Sequence, residues 1–171
     1  MKLRRGLGAG VRRGSDVVVG RGVRLHANDG AQIVLGDGCR IGDGTRIVVQ
    51  AGRVELGAGA VLGERCTVVA HSGVRIGASA RLGDGAVIVD FDHVFEDVER
   101  PIRVQPLQSA PVAIDDGARI GLGASVLRGV RVGAGAIVDP RAVVTRDVPA
   151  GGHVGGVPAK PVAASDAPSK A

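Results

Sequence analysis

The chain has 171 residues, 29 of them glycine, with no tryptophan or tyrosine and only two phenylalanines, Phe91 and Phe95. A core built on aromatic area is excluded, so Val, Ile, Leu and Ala must fill a narrow interior, and glycine without the three-residue period of collagen implies many regular turns. The 22 Lys and Arg against 17 Asp and Glu leave a formal net charge of +5, an excess that serves solubility before it serves anionic ligands, and no apolar run reaches the roughly 18 residues that a membrane-spanning helix needs.

Residues 1–16 are basic and glycine-rich and lack the apolar segment of a signal peptide, so they read as an irregular N-terminal arm. From Val17 onward, pairs of small or aliphatic residues two positions apart recur with a six-residue period. Val17/Val19 and Val23/Leu25 open the series. Ile33/Leu35, Cys39/Ile41 and Thr45/Ile47 follow, then Val54/Leu56, Ala60/Leu62 and Cys66/Val68, then Val74/Ile76, Ala80/Leu82 and Ala86/Ile88. Residues i and i−2 of a strand share a face, so each hexad sends one pair inward and then turns. A period of six with glycine in nearly every turn fits no amphipathic helix.

The spacing lengthens at Leu25–Leu35, Ile47–Leu56, Val68–Ile76 and Ile88–Ile114. These breaks group the hexads in threes, which makes a three-sided coil whose insertions all fall at one corner. Successive coils stack at about 4.8 Å, so the insertions form a ridge, and insertions gathered on one side of a repeat protein commonly mark its working face. The ridge carries His26, Asn28 and Asp29, then Gln50, then His71 and Ser72.

The longest insertion, residues 89–111, holds Asp90, Asp92, His93, Glu96, Asp97 and Glu99 together with both phenylalanines. A long loop inside a compact repeat is typically functional. An imidazole flanked by carboxylates suits a general base, because the acid fixes the tautomer and stabilises the imidazolium. His93 is therefore the candidate base, with Asp92 or Glu96 to orient it.

Six unbroken hexads follow: Val112/Ile114, Ala118/Ile120, Ala124/Val126, Val130/Val132, Ala136/Val138 and Ala142/Val144. In this stretch Arg128 and Arg146 stand 18 residues apart and should stack. Residues 163–171 are Ala, Ser, Pro, Asp and Lys and read as a disordered tail. Cys39 and Cys66 fall on inner positions and form neither a metal spacing nor a secreted framework, so they read as buried structural residues and the default location is cytoplasmic.

Over residues 17–162 the chain resembles the hexapeptide-repeat acyltransferases of the left-handed parallel β-helix fold, nearest the sugar and maltose/galactoside O-acetyltransferase branch. The resemblance rests on the DFDHVFEDVERPI loop, the hexads IDDGARIGLGASVLRGVRVGAGAIV and the closing AVVTRDVPAGGHVGGVPAKPV. It implies an all-β fold with one extruded loop, a homotrimer with active sites between subunits, and acetyl-CoA as co-substrate without a metal. It also implies that His93 deprotonates a hydroxyl or amine of a small acceptor, a sugar or amino sugar, and that a main-chain N–H at Leu122 stabilises the oxyanion. By the same resemblance Leu122, Pro140, Thr145 and Lys160 line the CoA groove, and Arg128 and Arg146 add attraction for its phosphates. His26, Asn28, Gln50 and His71 are the candidate acceptor-binding residues. Two departures stand out: Asp139, Pro140 and Arg141 replace the usual Gly-Ala-Gly, and Arg119 replaces an aromatic. The rival readings are a γ-carbonic-anhydrase-like metal site built on His26, His71 and His93, and a scaffold without activity. The helical N-terminal domain of serine acetyltransferases has no counterpart in this pattern.

Overall fold

A computed structural model describes residues 10–93 and 107–162. The first coil is β1 (Val11–Arg13), β2 (Val18–Val19) and β3 (Arg24–Ala27); the second is β4 (Gln32–Leu35), β5 (Arg40–Ile41) and β6 (Arg46–Val49). The third is β7 (Arg53–Leu56), β8 (Val61–Leu62) and β9 (Thr67–Ala70), and the fourth is β10 (Gly73–Ile76), β11 (Arg81–Leu82) and β12 (Val87–Val89). The extruded hairpin, β13 (Phe91–His93) and β14 (Leu107–Ser109), comes next. The fifth coil is β15 (Val112–Ile114), β16 (Arg119–Ile120) and β17 (Ser125–Val126), and the sixth is β18 (Arg131–Val132), β19 (Ile137–Val138) and β20 (Val143–Val144). β21 (His153–Gly155) and β22 (Lys160–Pro161) finish the stack.

Each strand of a coil pairs in parallel with its counterpart one coil further on, so three sheets run along the molecule, and β22 closes the stack antiparallel to β21. The first strands of the coils make face A, the second strands with β21 and β22 make face B, and the third strands make face C. This is the parallel β-helix of hexapeptide repeats that the period of six predicts. No helix of the described residues is long and apolar enough to cross a membrane.

The inner pairs do what their spacing requires. Every pair from Ile33/Leu35 to Ala142/Val144 is buried, including Cys39, Thr45 and Cys66. An interior this narrow has no room for aromatic rings, and burying each Val, Leu or Ile contributes about 1.5–3 kcal/mol. The small position after a turn also accepts a polar atom where one is useful. Thr45 Oγ1 donates to the carbonyl of Gly63 at 2.8 Å and accepts the N–H of Cys66 at 3.1 Å, while the thiols of Cys39 and Cys66 point at the carbonyls of Gly57 and Gly83.

The turns stack as closely as the strands. A Cβ on Gly42 would lie 2.5 Å from the carbonyl oxygen of Gly63 in the next coil, so only glycine fits there. Aspartates tie neighbouring turns together. Asp37, Asp43, Asp84, Asp116 and Asp147 each accept a main-chain N–H from the coil before, at 2.7–2.9 Å. Across face A the buried carboxylate of Asp115 takes the guanidinium groups of both Arg75 and Arg131, which clamps the fourth, fifth and sixth coils beside the long insertion.

The start of the helix differs from expectation. β1 pairs in register with Ile33–Leu35, so the regular structure reaches back to Val11 rather than Val17, into the segment expected to be irregular. The hexad signal misses it because the second inner position there is Arg13, a charge that a terminal coil tolerates. For the same reason Val19 remains 39% exposed, although its pattern matches the buried pairs above it.

Candidate active site

The four insertions fall, as their spacing implies, at the corner where face C passes into face A. Register across β3, β6 and β9 matches Ala27 with Val49 and Val49 with Ala70, which stacks Asn28, Gln50 and His71 on successive coils. Their side chains are joined in part. His26 Nε2 lies 3.0 Å from Asn28 Oδ1, and Asn28 Nδ2 donates to Gln50 Oε1 at 2.6 Å. The result is an exposed row of hydrogen-bond donors and acceptors leading to the hairpin.

At the hairpin the row becomes aromatic. The His71 and Phe91 rings lie 4.4 Å apart between centroids, and Phe91 meets His93 edge-on at 6.2 Å. β13 pairs antiparallel with β14, His93 opposite Leu107, so His93 sits on a two-stranded stem rather than on a free loop. Its Nδ1 is buried and has no hydrogen-bond partner among the described residues.

Asp92 does not orient that ring. Strand residues alternate sides: Phe91 and His93 share one face of β13, Asp92 takes the other, and its Oδ1 accepts the main-chain N–H of His93 at 2.8 Å. Glu96, the other candidate, lies outside the described residues. Asp90 matters more than its sequence context suggested. It is fully buried, and its carboxylate accepts the N–H groups of His71, Ser72 and Gly73 at 2.8, 2.7 and 2.6 Å. Its place two residues after Ile88 in the inner period was the available signal, since an acid there must find donors.

The expected CoA-groove residues fall on two corners. Thr145, Arg128 and Arg146 share the corner of His93: β17 and β20 are in register, and the N–H of Gly129 donates to the carbonyl of Ala110, where the long loop returns. Leu122 and Pro140 stack at the corner between faces B and C, with Leu122 half exposed. Lys160 is on β22, next to Gly155 of β21. Within one chain Leu122 and Pro140 therefore do not meet His93. Of the departures, Asp139 pairs with His153 at 2.7 Å, and Arg141 holds the left-handed conformation with φ 61°, where most other turns have glycine. His26, His71 and His93 do not converge, because His26 turns to Asn28 and the Phe91 ring lies between the other two. Among the described residues no three His, Cys, Asp or Glu side chains are grouped to hold a metal.

No protein-family model matches the chain. It is 35% identical over 147 residues to the probable acetyltransferase Rv3034c of Mycobacterium tuberculosis, covering 85% of this chain and 49% of that protein. It is 43% identical over 84 residues to the 2,3,4,5-tetrahydropyridine-2,6-dicarboxylate N-acetyltransferase of Staphylococcus aureus, covering 49% of this chain and 30% of that one. The chain thus spans half or less of the length of these curated relatives. Among solved structures it resembles AntD, an N-acyltransferase from Bacillus cereus. A mutant in complex with dTDP and coenzyme A superposes with a TM-score of 0.67 at 17% identity, over 88% of this chain and 81% of that one. Another, with dTDP-4-amino-4,6-dideoxyglucose and coenzyme A, gives 0.62 at 17% identity, over 91% and 81%. At that identity the likeness is one of fold.

Proposed function

We propose that this chain, which belongs to the hexapeptide-repeat acyltransferases, transfers an acetyl group from acetyl-CoA to a hydroxyl or amine of a small, polyhydroxylated acceptor, with His93 as general base. The observation that carries the reading is the row at the insertion corner. Hydrogen-bonding groups on His26, Asn28 and Gln50 lead through His71 to an imidazole on a defined stem. Such a row suits an acceptor with several hydroxyls, and the imidazole at its end suits removal of one proton.

His93 takes the proton as the acceptor oxygen or nitrogen attacks the thioester carbonyl. The carbonyl oxygen gathers charge in the tetrahedral intermediate; the C–S bond then breaks, and the proton passes to the departing thiolate. The main-chain N–H of Leu122 is the candidate oxyanion donor. Pro140 stands above it where other turns carry an aspartate cap, and no described residue accepts that N–H.

Because Leu122 and His93 are on different corners, the reading needs neighbouring copies. Face C supports this. Its outward column at Val48, Val69 and Val89 is apolar, beside a mixed column in which Val87 and Val143 alternate with Arg46, Thr67 and Ser125. Three copies closing around that face would set the Leu122 corner of one beside the His93 corner of the next, as a head-to-tail ring requires. Thr145, Arg128, Arg146 and Lys160 would then flank the groove for CoA. A cytoplasmic location accords with a CoA thioester donor and with two free thiols.

Calorimetry with acetyl-CoA, using desulfo-CoA and adenosine diphosphate as controls, tests the reading. Binding of one acetyl-CoA per chain is expected. No binding up to about millimolar concentration, an affinity of about −4 kcal/mol, would overturn it.

A further inference from the structure

Asp90 is the most constrained ionisable side chain near the candidate site, and the chemistry just described does not use it. Its carboxylate takes three consecutive N–H groups from the turn at His71, Ser72 and Gly73, and its own carbonyl accepts the N–H of Ala110 at 2.8 Å. One residue therefore holds two things together. Through its side chain it fixes the turn that carries His71; through its main chain it closes the root of the hairpin that carries His93.

We propose that Asp90 is the positioning residue of this site, setting the two imidazoles on either side of Phe91. The inference rests on His93 being the base. The packing is continuous: the anchored turn places His71 against Phe91 at 4.4 Å, and Phe91 meets His93 at 6.2 Å. A carboxylate is needed because both oxygens must accept. An asparagine would turn an NH2 group towards N–H donors and leave one or two of them buried without a partner. A turn released in this way shifts His71, then Phe91, then the base, and a displacement of about 1 Å at a reacting group can cost 100-fold in rate.

The test compares Asp90→Asn with Thr45→Val. The second variant also removes buried hydrogen bonds, from Gly63 and Cys66, but lies away from the insertion corner. Both should lower the unfolding midpoint. Only Asp90→Asn should lower kcat for acyl transfer, by about tenfold or more, with the KM for acetyl-CoA within about twofold. It should also move the imidazole proton resonances of His71 and His93, whose positions depend on the Phe91 ring, while Thr45→Val leaves them in place. If Asp90→Asn does not fold, Asp90→Ser, which retains one acceptor, takes its place. Unchanged resonances and a kcat like that of Thr45→Val would overturn the role. A wild-type protein that releases no thiol with any acceptor would refute the acyltransferase reading, and the resonances alone would then decide for or against Asp90.

Discussion

Asp139 Oδ1 lies 2.7 Å from Nε2 of His153, and its other oxygen occupies the space that a Cβ on Gly155 would need. The residue that departs from the usual small turn has thus shaped the coil above it. Both side chains of the pair are 39% exposed, so the pair itself contributes under about 1 kcal/mol. A Cβ at Gly155 would displace the carboxylate, which can turn aside by giving up its bond to His153. Gly155→Ala should cost up to about 1 kcal/mol, the worth of the pairing it displaces, and most of that cost should vanish in an Asp139→Gly background. Urea midpoints around the double-mutant cycle measure the coupling. Additive losses would mean that the methyl group meets something other than Asp139.

Burial raises the pKa of both Cys39 and Cys66, with main-chain hydrogen bonds offsetting only part of the effect. The folded thiols hold their protons to higher pH than the unfolded ones. Their contribution to stability is complete below the ordinary thiol value, about 8.5, and is lost as pH rises through the folded value. The unfolding midpoint should hold steady up to about pH 8 and decline above about pH 9. Alanine at both positions should remove that part of the decline. The folded protein should resist a thiol reagent at about pH 8, where exposed thiols react. Prompt labelling of either cysteine in the native state would contradict its buried position.

The interior was legible because one physical rule governs it. A strand of a narrow coil must send residues i and i−2 inward, so Ile33/Leu35 and Val130/Val132 reveal their places by spacing alone. The insertion corner was legible for the same reason, since a longer interval between anchors has nowhere else to go. Other features depend on pairings that spacing does not encode. Nothing in the sequence near Asp90 shows that its acceptors serve the turn at His71, nearly twenty positions earlier, and nothing near Asp115 names Arg75 and Arg131 as its partners. Asp92 looked suitable because it adjoins His93. In a strand, adjacency puts two side chains on opposite faces, and that geometry removes it from the ring.

Asn28 donates to Gln50 at 2.6 Å, and His26 is joined to Asn28 at 3.0 Å. If the row binds the acceptor, its loss should appear in the acceptor and not in the donor. Asn28→Ala and Gln50→Ala should each raise the KM for the acceptor by about 3- to 10-fold, the worth of one hydrogen bond of about 0.5–1.5 kcal/mol. The affinity for acetyl-CoA should stay the same. The double variant should be less than additive, since each residue holds the other in place. Equal losses for donor and acceptor would point to a general distortion of the corner.

The environment of His93 sets a demand that the described residues do not meet. To take a proton at Nε2, the neutral ring must carry its own proton on Nδ1, and that atom is buried without an acceptor. A buried N–H left unpaired costs about 1–3 kcal/mol, enough to favour the tautomer that cannot act as a base. If His93 is the base, Nδ1 needs an acceptor in the complete site, and a carboxylate is the acceptor that would also stabilise the imidazolium. Asp92 Oδ1 accepts the main-chain N–H of His93, so Glu96 is the acid whose substitution tests this demand. His93→Ala should lower kcat by about two orders of magnitude or more while acetyl-CoA still binds, as removal of a general base requires. Glu96→Gln should lower kcat by roughly tenfold or more, whereas Asp92→Asn should change kcat by less than about threefold. Steady-state kinetics with these three variants, with acetyl-CoA binding followed separately, distinguishes a base with its orienting acid from a histidine that only lines the groove. A His93→Ala protein with near-normal turnover would remove the imidazole from the reaction.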